Sequence, residues 1–546
     1  MAEDLKKIHS YLPKLVEEME TGKLERREFL RIAALLGLSA TAAYAIAGLT
    51  PLAKPARAAT AGGTVRISIR VPALDNPHTY SWVYDSNSTR QACDYLTRTG
   101  IDNVTRPWLV EKWEASDDLK TWTLNLRKGV KWSDGEELVA DHAIWNMKRW
   151  LDPAVGSSIL GLMKGYMMND DGTAIWDANA IEKVSDYQIR LNARAPQLAV
   201  PEHLFHYPAL ILHPSDNGVF GLGAKGTGAF TMVEYEVGKK AVFERRDGYW
   251  GKPAILDRLE FIDHGDDAAA ALGALASKQV HGLYEASTTQ YAALQKMEHV
   301  QVHQISTGQT GVARMQEIHE QWKDPRVRKA MRLALDTEKL VQIAHLGLGA
   351  PGEHHHVAPV HPEYAKLPFM KQDIAAAKKL LAEAGYPNGI EAEIVCKKDP
   401  DWELISVQAM VQMWKEIGAN IKINVLPSAQ YWDIWNAPTN PFAFTAWTHR
   451  PLGVMVLGLA YRTGVPWNES HWSNAKFDSL LAKAEGTLDV EKRREVMVEI
   501  ETLMLEEGPI CLPLWRAVFT AMDKRLQGYV MHPTNYFFAE DWSLEA

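Results

Sequence analysis

Five segments between Asp324 and Leu426 constrain the fold of this chain more than any other feature. "DPRVRKAMRLALD" carries Val327, Ala330, Met331 and Ala334 on one helical face, with Asp324 placed as cap and Pro325 at the first helical position. "DIAAAKKLLAEAGYPNG" repeats the arrangement: Asp373 caps, Ala377, Leu380, Leu381 and Ala384 form a stripe, Gly385 stops the helix, and Pro387 follows. Next come the strand "EAEIVC", a helix around Val407–Ile417 and the strand "NIKINVL" (Asn420–Leu426). Helix and strand alternating in this way predict an α/β lobe around a mainly parallel sheet.

The first half reads differently. "GGTVRISI" alternates Val65, Ile67 and Ile69 with polar residues, the period of a half-buried strand. "KTWTLNLRKGVKWSDG" predicts a strand, a turn at Lys128-Gly129 and a short second strand. Asp141 is placed to cap a helix whose Ile144, Met147 and Leu151 share a face and which Pro153 ends. "GLGAKGTGAFTM" contains a G-x-G-x-x-G match at Gly221, Gly223 and Gly226. A dinucleotide loop needs a strand before it and a helix after it. Here "FTMVEY" is strand material and "PSDNGVF" makes no buried strand, so the match predicts a glycine-rich entry to a hairpin turning at Gly238-Lys239.

The N-terminal stretch has a separate character. Arg26-Arg27 precedes Phe29-Leu30, a weakly hydrophobic Ala/Gly/Leu run and Ala56-Arg57-Ala58. This pattern predicts a twin-arginine export signal over residues 1–58 with cleavage at Ala58 and delivery to the periplasm. No cysteine stands near its end to carry a lipid. The three cysteines, Cys93, Cys396 and Cys511, cannot all pair; Cys396 and Cys511 pair or stand apart, and the sequence leaves both open. With a net charge of −9 the chain lacks the basic balance of a general nucleic-acid binder. It contains no G-x-S-x-G, H-E-x-x-H or G-x-x-x-x-G-K-[ST] pattern, which argues against a secreted hydrolase, the rival class.

The order of segments is itself informative. "PWLVEKWEASDDLKTWTLNLRKGVKWSDGEELVADHAIWNMKRWLDP", "GTGAFTMVEYEVGKKAVFERRDGYWG", "DPRVRKAMRLALD", "AAAKKLLAEAGYPNG" and "FDSLLAKAEGTLDVEKRREVMVEIETLMLEEGPICLPLW" follow one another. This series resembles the peptide/nickel/opine class (family 5) of extracytoplasmic solute-binding proteins, the receptors of ABC importers. The resemblance implies an α/β, two-lobed periplasmic-binding-protein clamshell with an extra subdomain in lobe I. On this sequence, lobe I would span 59–305 plus 518–546, with 111–229 as the extra subdomain and 306–517 as lobe II. Crossings are expected near Ile305–Thr310 and Leu514–Ala517. It also implies a monomeric receptor without cofactor or catalytic group, working with separate permease and ATPase subunits on a peptide or small-molecule ligand.

In the peptide-binding members of that class, a Trp and then an Asp follow the corresponding strand, and the Asp pairs with the peptide's α-ammonium. Trp447 matches the Trp, but Thr448-His449-Arg450 follows, and no Asp or Glu stands between Asp433 and Glu469. An arginine there suits a carboxylate, sulfonate or phosphate through its planar fork, or else pairs with an acid of its own lobe. The expected ligand-binding set is Trp447, His449, Arg450, Tyr461 and Trp467, with His356 and Tyr80 as further candidates. The run His354-His355-His356 raises a metal-chelate guest, as nickel-type relatives suggest. Three adjacent histidines cannot all face one ion in a regular element, and no supporting carboxylate spacing is evident, so no metal ligands are assigned.

Overall fold

A computed structural model describes residues 2–49, 62–265 and 267–545. The chain forms two compact units. The first holds the described residues up to Tyr284, His299–Gln301 and the stretch from Met522; the second holds Glu285–Glu298 and Val302–Ala521. The passages between units thus lie at 284/285, 298/299, 301/302 and 521/522, and Glu285–Glu298 goes with the second unit.

In the first unit, Thr64–Ser68 is a central strand. It pairs in parallel with Arg258–Ile262, matching Val65 to Leu259 and Ile67 to Phe261, and with Gly282–Leu283 on its other side. These alternating apolar residues are fully buried. The hairpin Phe230–Glu236/Lys240–Arg245 extends the sheet, turning at Gly238 with φ +71°. The glycines before it do what the hairpin reading requires. A Cβ on Gly226 would stand 1.9 Å from the Ala92 carbonyl oxygen, and one on Gly228 2.6 Å from the Ala92 carbonyl carbon. The Gly228 N–H donates to that same oxygen at 2.8 Å. No helix follows, so these glycines serve a close backbone crossing rather than a phosphate.

A four-stranded antiparallel sheet lies in the same unit, in the order Val110–Ala115, Thr121–Leu126, Gln188–Asn192, Ile181–Ser185. Trp122, Leu124, Leu126, Ile189 and Leu191 supply its buried face. The neighbouring helix runs Ala140–Trp150 with Val139 at the cap position. Asp141 therefore sits inside the first turn, where a carboxylate still complements the helix dipole. The strand expected after Lys128-Gly129 shrinks to one bridge, Lys131 to Glu137.

The N-terminal segment is packed onto this unit. Helix Arg26–Leu35 buries Phe29 and Leu30 while Arg26 and Arg27 stay exposed. The Trp113 indole donates to the Leu35 carbonyl at 2.8 Å, and Tyr44 donates to Asp102 at 2.8 Å. The expected cleavage position at Ala58 lies outside the described residues.

In the second unit the strand order is Asn420–Leu426, Glu391–Lys397, Phe442–Trp447, residues 302–315 of the 300–315 strand and residues 514–521 of the 514–523 strand. The first three run parallel, and Phe442–Trp447 runs antiparallel to Thr310–Met315. Asp324 and Asp373 cap Pro325–Leu333 and Ile374–Glu383, accepting from Arg326 and Ala376 backbone N–H at 2.8 Å each. The next helix is Asp401–Lys415, starting well before Val407, because polar residues of its first two turns are buried against the lobe: Glu403 and Ser406 are fully covered. Arg328 and Arg332, both buried, donate to the carbonyls of Leu505, Glu506, Glu507 and Gly508 at the end of helix Val490–Glu507. Cations there satisfy the last carbonyls and complement the dipole.

The glycine reading yields a paired prediction. Gly226→Ala should destabilise the protein by about 2–3 kcal/mol, the cost of forcing a methyl group into a packed crossing. Gly221→Ala, where a Cβ meets nothing within 4 Å, should be near neutral. Urea midpoints of the two variants check this; equal shifts would refute it.

Candidate ligand site in the second unit

Strand Phe442–Trp447 is buried along its whole length. Its end is organised by a residue that the sequence marked only as the edge of an acid-free window. Glu469, 3% exposed, accepts from the Trp447 indole at 2.9 Å through Oε1. Through Oε2 it accepts from Thr445 at 2.5 Å and from Arg314 Nε at 3.3 Å. Tyr431 donates in turn to Thr445 Oγ1 at 2.5 Å, and Arg314 also donates to the Asn440 and Trp435 carbonyls. Burial raises the Glu469 pKa above the usual carboxylate range, against the opposing pull of Arg314 and the two neutral donors. The 22 residues separating Glu469 from Trp447 hide this contact from any local pattern.

Three of the expected ligand-binding residues, His356, Tyr461 and Trp467, gather with Trp447. The His356 ring meets Trp447 edge-on at 5.4 Å and Tyr461 at 5.6 Å, and its Nδ1 lies 2.6 Å from the Tyr461 hydroxyl. Trp467 packs edge-to-face on Trp447 at 5.8 Å. Trp515, which sequence reading missed, lies 6.2 Å from His356. These rings bury a wide apolar wall with a few fixed polar atoms, the makeup of a small-ligand site.

His449 and Arg450 follow directly. His449 Nδ1 accepts the Gly308 N–H at 3.0 Å, and its ring lies 6.0 Å from that of His361. His361 Nε2 donates to the Arg450 carbonyl at 3.1 Å, its Nδ1 being occupied by the Ala358 N–H at 2.9 Å. Arg450 is 3% exposed, and its Nη1 donates to the Thr448 hydroxyl and to the His449 carbonyl at 3.0 Å. Tyr80 does not join this group. It belongs to the interior of the first unit, its hydroxyl 3.0 Å from the Leu74 carbonyl and 2.7 Å from Thr89 Oγ1.

The histidine run diverges. His354 Nδ1 accepts the Leu512 N–H at 2.9 Å, His355 faces Glu501 at 3.6 Å, and His356 turns to Tyr461. Positive φ at His354 (+63°) and His356 (+59°) sends successive side chains apart. Burial holds His354 and His355 down to about 3 and pushes Glu501 up to about 9, so the His355–Glu501 contact is uncharged on both sides near neutrality. Cys396 and Cys511 are free and buried, which settles the open pairing.

In the first unit, Glu136, His142 and His213 place one ligand atom each within 4.8 Å of one another. The tautomers argue against a metal. Trp132 Nε1–H donates to His142 Nδ1 at 3.1 Å, and the Ser215 N–H donates to His213 Nδ1 at 3.1 Å. Both Nε2 atoms therefore carry protons, which they present to the Glu136 carboxylate at 3.3 and 3.1 Å.

With this geometry established, comparison with known proteins defines the class. Residues 104–462 match the bacterial extracellular solute-binding proteins, family 5 Middle. The chain is 23% identical to dipeptide-binding protein DppE of Bacillus subtilis (strain 168) over 81% of this chain and 84% of that protein. It is 23% identical to heme-binding protein A of Haemophilus influenzae, over 79% and 82%. Two solved structures superpose with a TM-score of 0.80 at 20% identity, each covering 89% of this chain and 99% of the other. They are AgaA of A. tumefaciens R10 in complex with agropinic acid, and the Escherichia coli murein tripeptide binding protein MppA. The chain belongs to family 5 of the bacterial extracellular solute-binding proteins and has their α/β periplasmic-binding-protein fold. It is a solute-binding receptor of an ABC import system.

The buried histidines set the acid limit. His78, His345, His354, His355 and His532 are each held near 3 by burial, against about 6.5 when unfolded. A depressed histidine pKa gives stability that is complete above 6.5 and is lost as pH falls toward 3. Glu501, raised to about 9, and Asp85, raised to about 8, act oppositely, their contributions fading as pH climbs from about 4. Urea midpoints should fall steadily from pH 6.5 to 4; a flat profile there would overturn the assignment.

Proposed function

We propose that this receptor captures a peptide or a small anionic or zwitterionic solute in the periplasm and delivers it to ABC permease and ATPase subunits. The observation that carries the reading is the aromatic group of Trp447, His356, Tyr461 and Trp467 beside buried Arg450. Peptide is the natural starting point, since relatives are named as dipeptide-, oligopeptide- and glutathione-binding proteins. The chemistry after Trp447 favours an anionic group at this end of the ligand. The acid that meets Trp447 is Glu469, and its oxygens already accept three hydrogen bonds from within the unit. Little is left of it for an α-ammonium. Arg450 instead supplies fixed positive charge, suited to a carboxylate, sulfonate or phosphate.

The divergence of His354, His355 and His356 gives a metal-chelate guest no support. A receptor holds its guest without turnover, which separates it from a hydrolase. Export through the twin-arginine route, with cleavage at Ala58 and a monomeric product, completes the reading. It is supported by Arg26-Arg27-Glu28-Phe29-Leu30 in the sequence and by the lack, among the described residues, of a helix long and apolar enough to cross a membrane.

Mass spectrometry of the guest released from protein purified without refolding identifies the ligand class. Arg450→Ala should then weaken that guest at least about tenfold, the scale of one lost charge-assisted hydrogen bond. Titration of tryptophan fluorescence measures it. Unchanged affinity would remove Arg450 from the site, and conversion of the guest to product would remove the receptor reading.

A further inference from the structure

An export signal acts only when its residues can be reached. In residues 2–49 much of the motif is out of reach. Helix Arg26–Leu35 is buried at every position from Glu28 to Leu35, and only Arg26 and Arg27 at its start are exposed. A helix covered on all sides is enclosed by its neighbours rather than laid on a surface. Its ten residues also fall short of the roughly 12–15 that an isolated helix needs in water. Its helical form therefore depends on what encloses it.

A buried ion pair marks the same enclosure. Arg31 and Glu28 are 4% and 9% exposed, and Arg31 Nε donates to Glu28 Oε2 at 3.1 Å. Arg31 Nη2 donates to Oε1 of the same carboxylate. On a free helix both groups would be hydrated; here packing has displaced the water and they turn to each other.

The first unit holds the segment at separate points. The helix lies against strand Thr105–Pro107. The Trp113 indole donates to the Leu35 carbonyl at 2.8 Å, which satisfies one of the carbonyls left open at the helix end. Just beyond, Gly37 has φ +88°, and a Cβ on it would stand 2.7 Å from the Trp113 carbonyl oxygen. Tyr44 donates to Asp102 at 2.8 Å, and Ser10 Oγ donates to Asp117 at 2.7 Å. Hydrogen bonds from Ser10, at Leu35 and from Tyr44 fix one register, which apolar contact alone would not do.

We propose that this seat is an autoinhibitory contact: docked residues 2–49 present Arg26 and Arg27 but withhold Phe29 and Leu30, so the signal is silent until the segment lifts off the first unit. This rests on the twin-arginine reading of the segment and adds a condition to it. The seat exists only once the first unit has folded, because Asp102, Trp113 and Asp117 come from a turn, a strand and the loop after it. Lifting uncovers Phe29, Leu30 and the Glu28–Arg31 pair together. Whatever reads the signal must offer an apolar surface in place of the seat.

Trp113→Phe and Asp117→Ala loosen the seat and leave residues 1–58 untouched. Hydrogen exchange on the full chain, purified from cells that lack the export pathway, reads docking. The backbone amides of Phe29–Leu36 should be protected, and Trp113→Phe should lower their protection about fivefold, the scale of one lost hydrogen bond. Unprotected amides in the unaltered chain overturn the proposal. Pulse-labelled cells read export. Trp113→Phe should reach the periplasm about fivefold faster than the unaltered chain, and an equal or slower rate overturns the proposal. Asp117→Ala, at an exposed turn, should move both readouts the same way, and it decides the matter if Trp113→Phe fails to fold. The double variant Arg26→Lys, Arg27→Lys tests the reading underneath. Its normal export would remove the twin-arginine signal while leaving the exchange protection in place, which separates that failure from a failure of the seat.

Discussion

The candidate ligand site depends on one buried carboxylate. Glu469 receives an indole and a hydroxyl from strand Phe442–Trp447 and a guanidinium from the neighbouring 300–315 strand. Arg314 extends the network to the Asn440 and Trp435 carbonyls, so the loop entering strand Phe442–Trp447 is fixed by the same charge. The result is positional. Trp447 cannot rotate without giving up its hydrogen bond to Glu469, and its orientation sets the contacts with His356 and Trp467. Removing a buried carboxylate of this kind leaves a guanidinium uncompensated, which costs about 3–5 kcal/mol, far more than the pair contributes net. Such a network adds less to stability than to uniqueness of geometry, and a binding site needs the latter.

What the sequence made legible was local. Caps at Asp324 and Asp373, the apolar stripes behind them, the alternation in Val65–Ile69 and the hairpin after Gly228 are all decided within a dozen residues. The glycine match could be judged the same way, since its missing flanks are adjacent in the chain. Of the expected ligand-binding residues, the structure brings Trp467 onto Trp447 and joins Tyr461 to it through His356.

The rest depended on distance in the chain or on burial. Glu469 was visible only as the place where an acid-free stretch ended; nothing local says that it turns back to Trp447. Tyr80 offered an aromatic ring in a Pro- and Asn-containing loop, as a ligand-facing residue would, but its hydroxyl is taken up by Leu74 and Thr89. The histidine run looked like one feature, whereas positive φ at two of its residues makes it three unrelated ones.

Buried arginines show how differently one chemical problem is solved along this chain. Arg328 and Arg332 donate to the terminal carbonyls of Val490–Glu507, so partial charges of backbone spread their compensation over several groups. Arg314 takes a full carboxylate together with two carbonyls. Arg90 has two neutral oxygens and aromatic faces. The first two draw their acceptors from the chain itself, although Arg332 Nε makes no hydrogen bond. The third relies on hydroxyls and ring faces, which polarise toward a cation without cancelling it. The same electrostatic rule thus explains why Arg314 fixes the geometry around Glu469 at the candidate site.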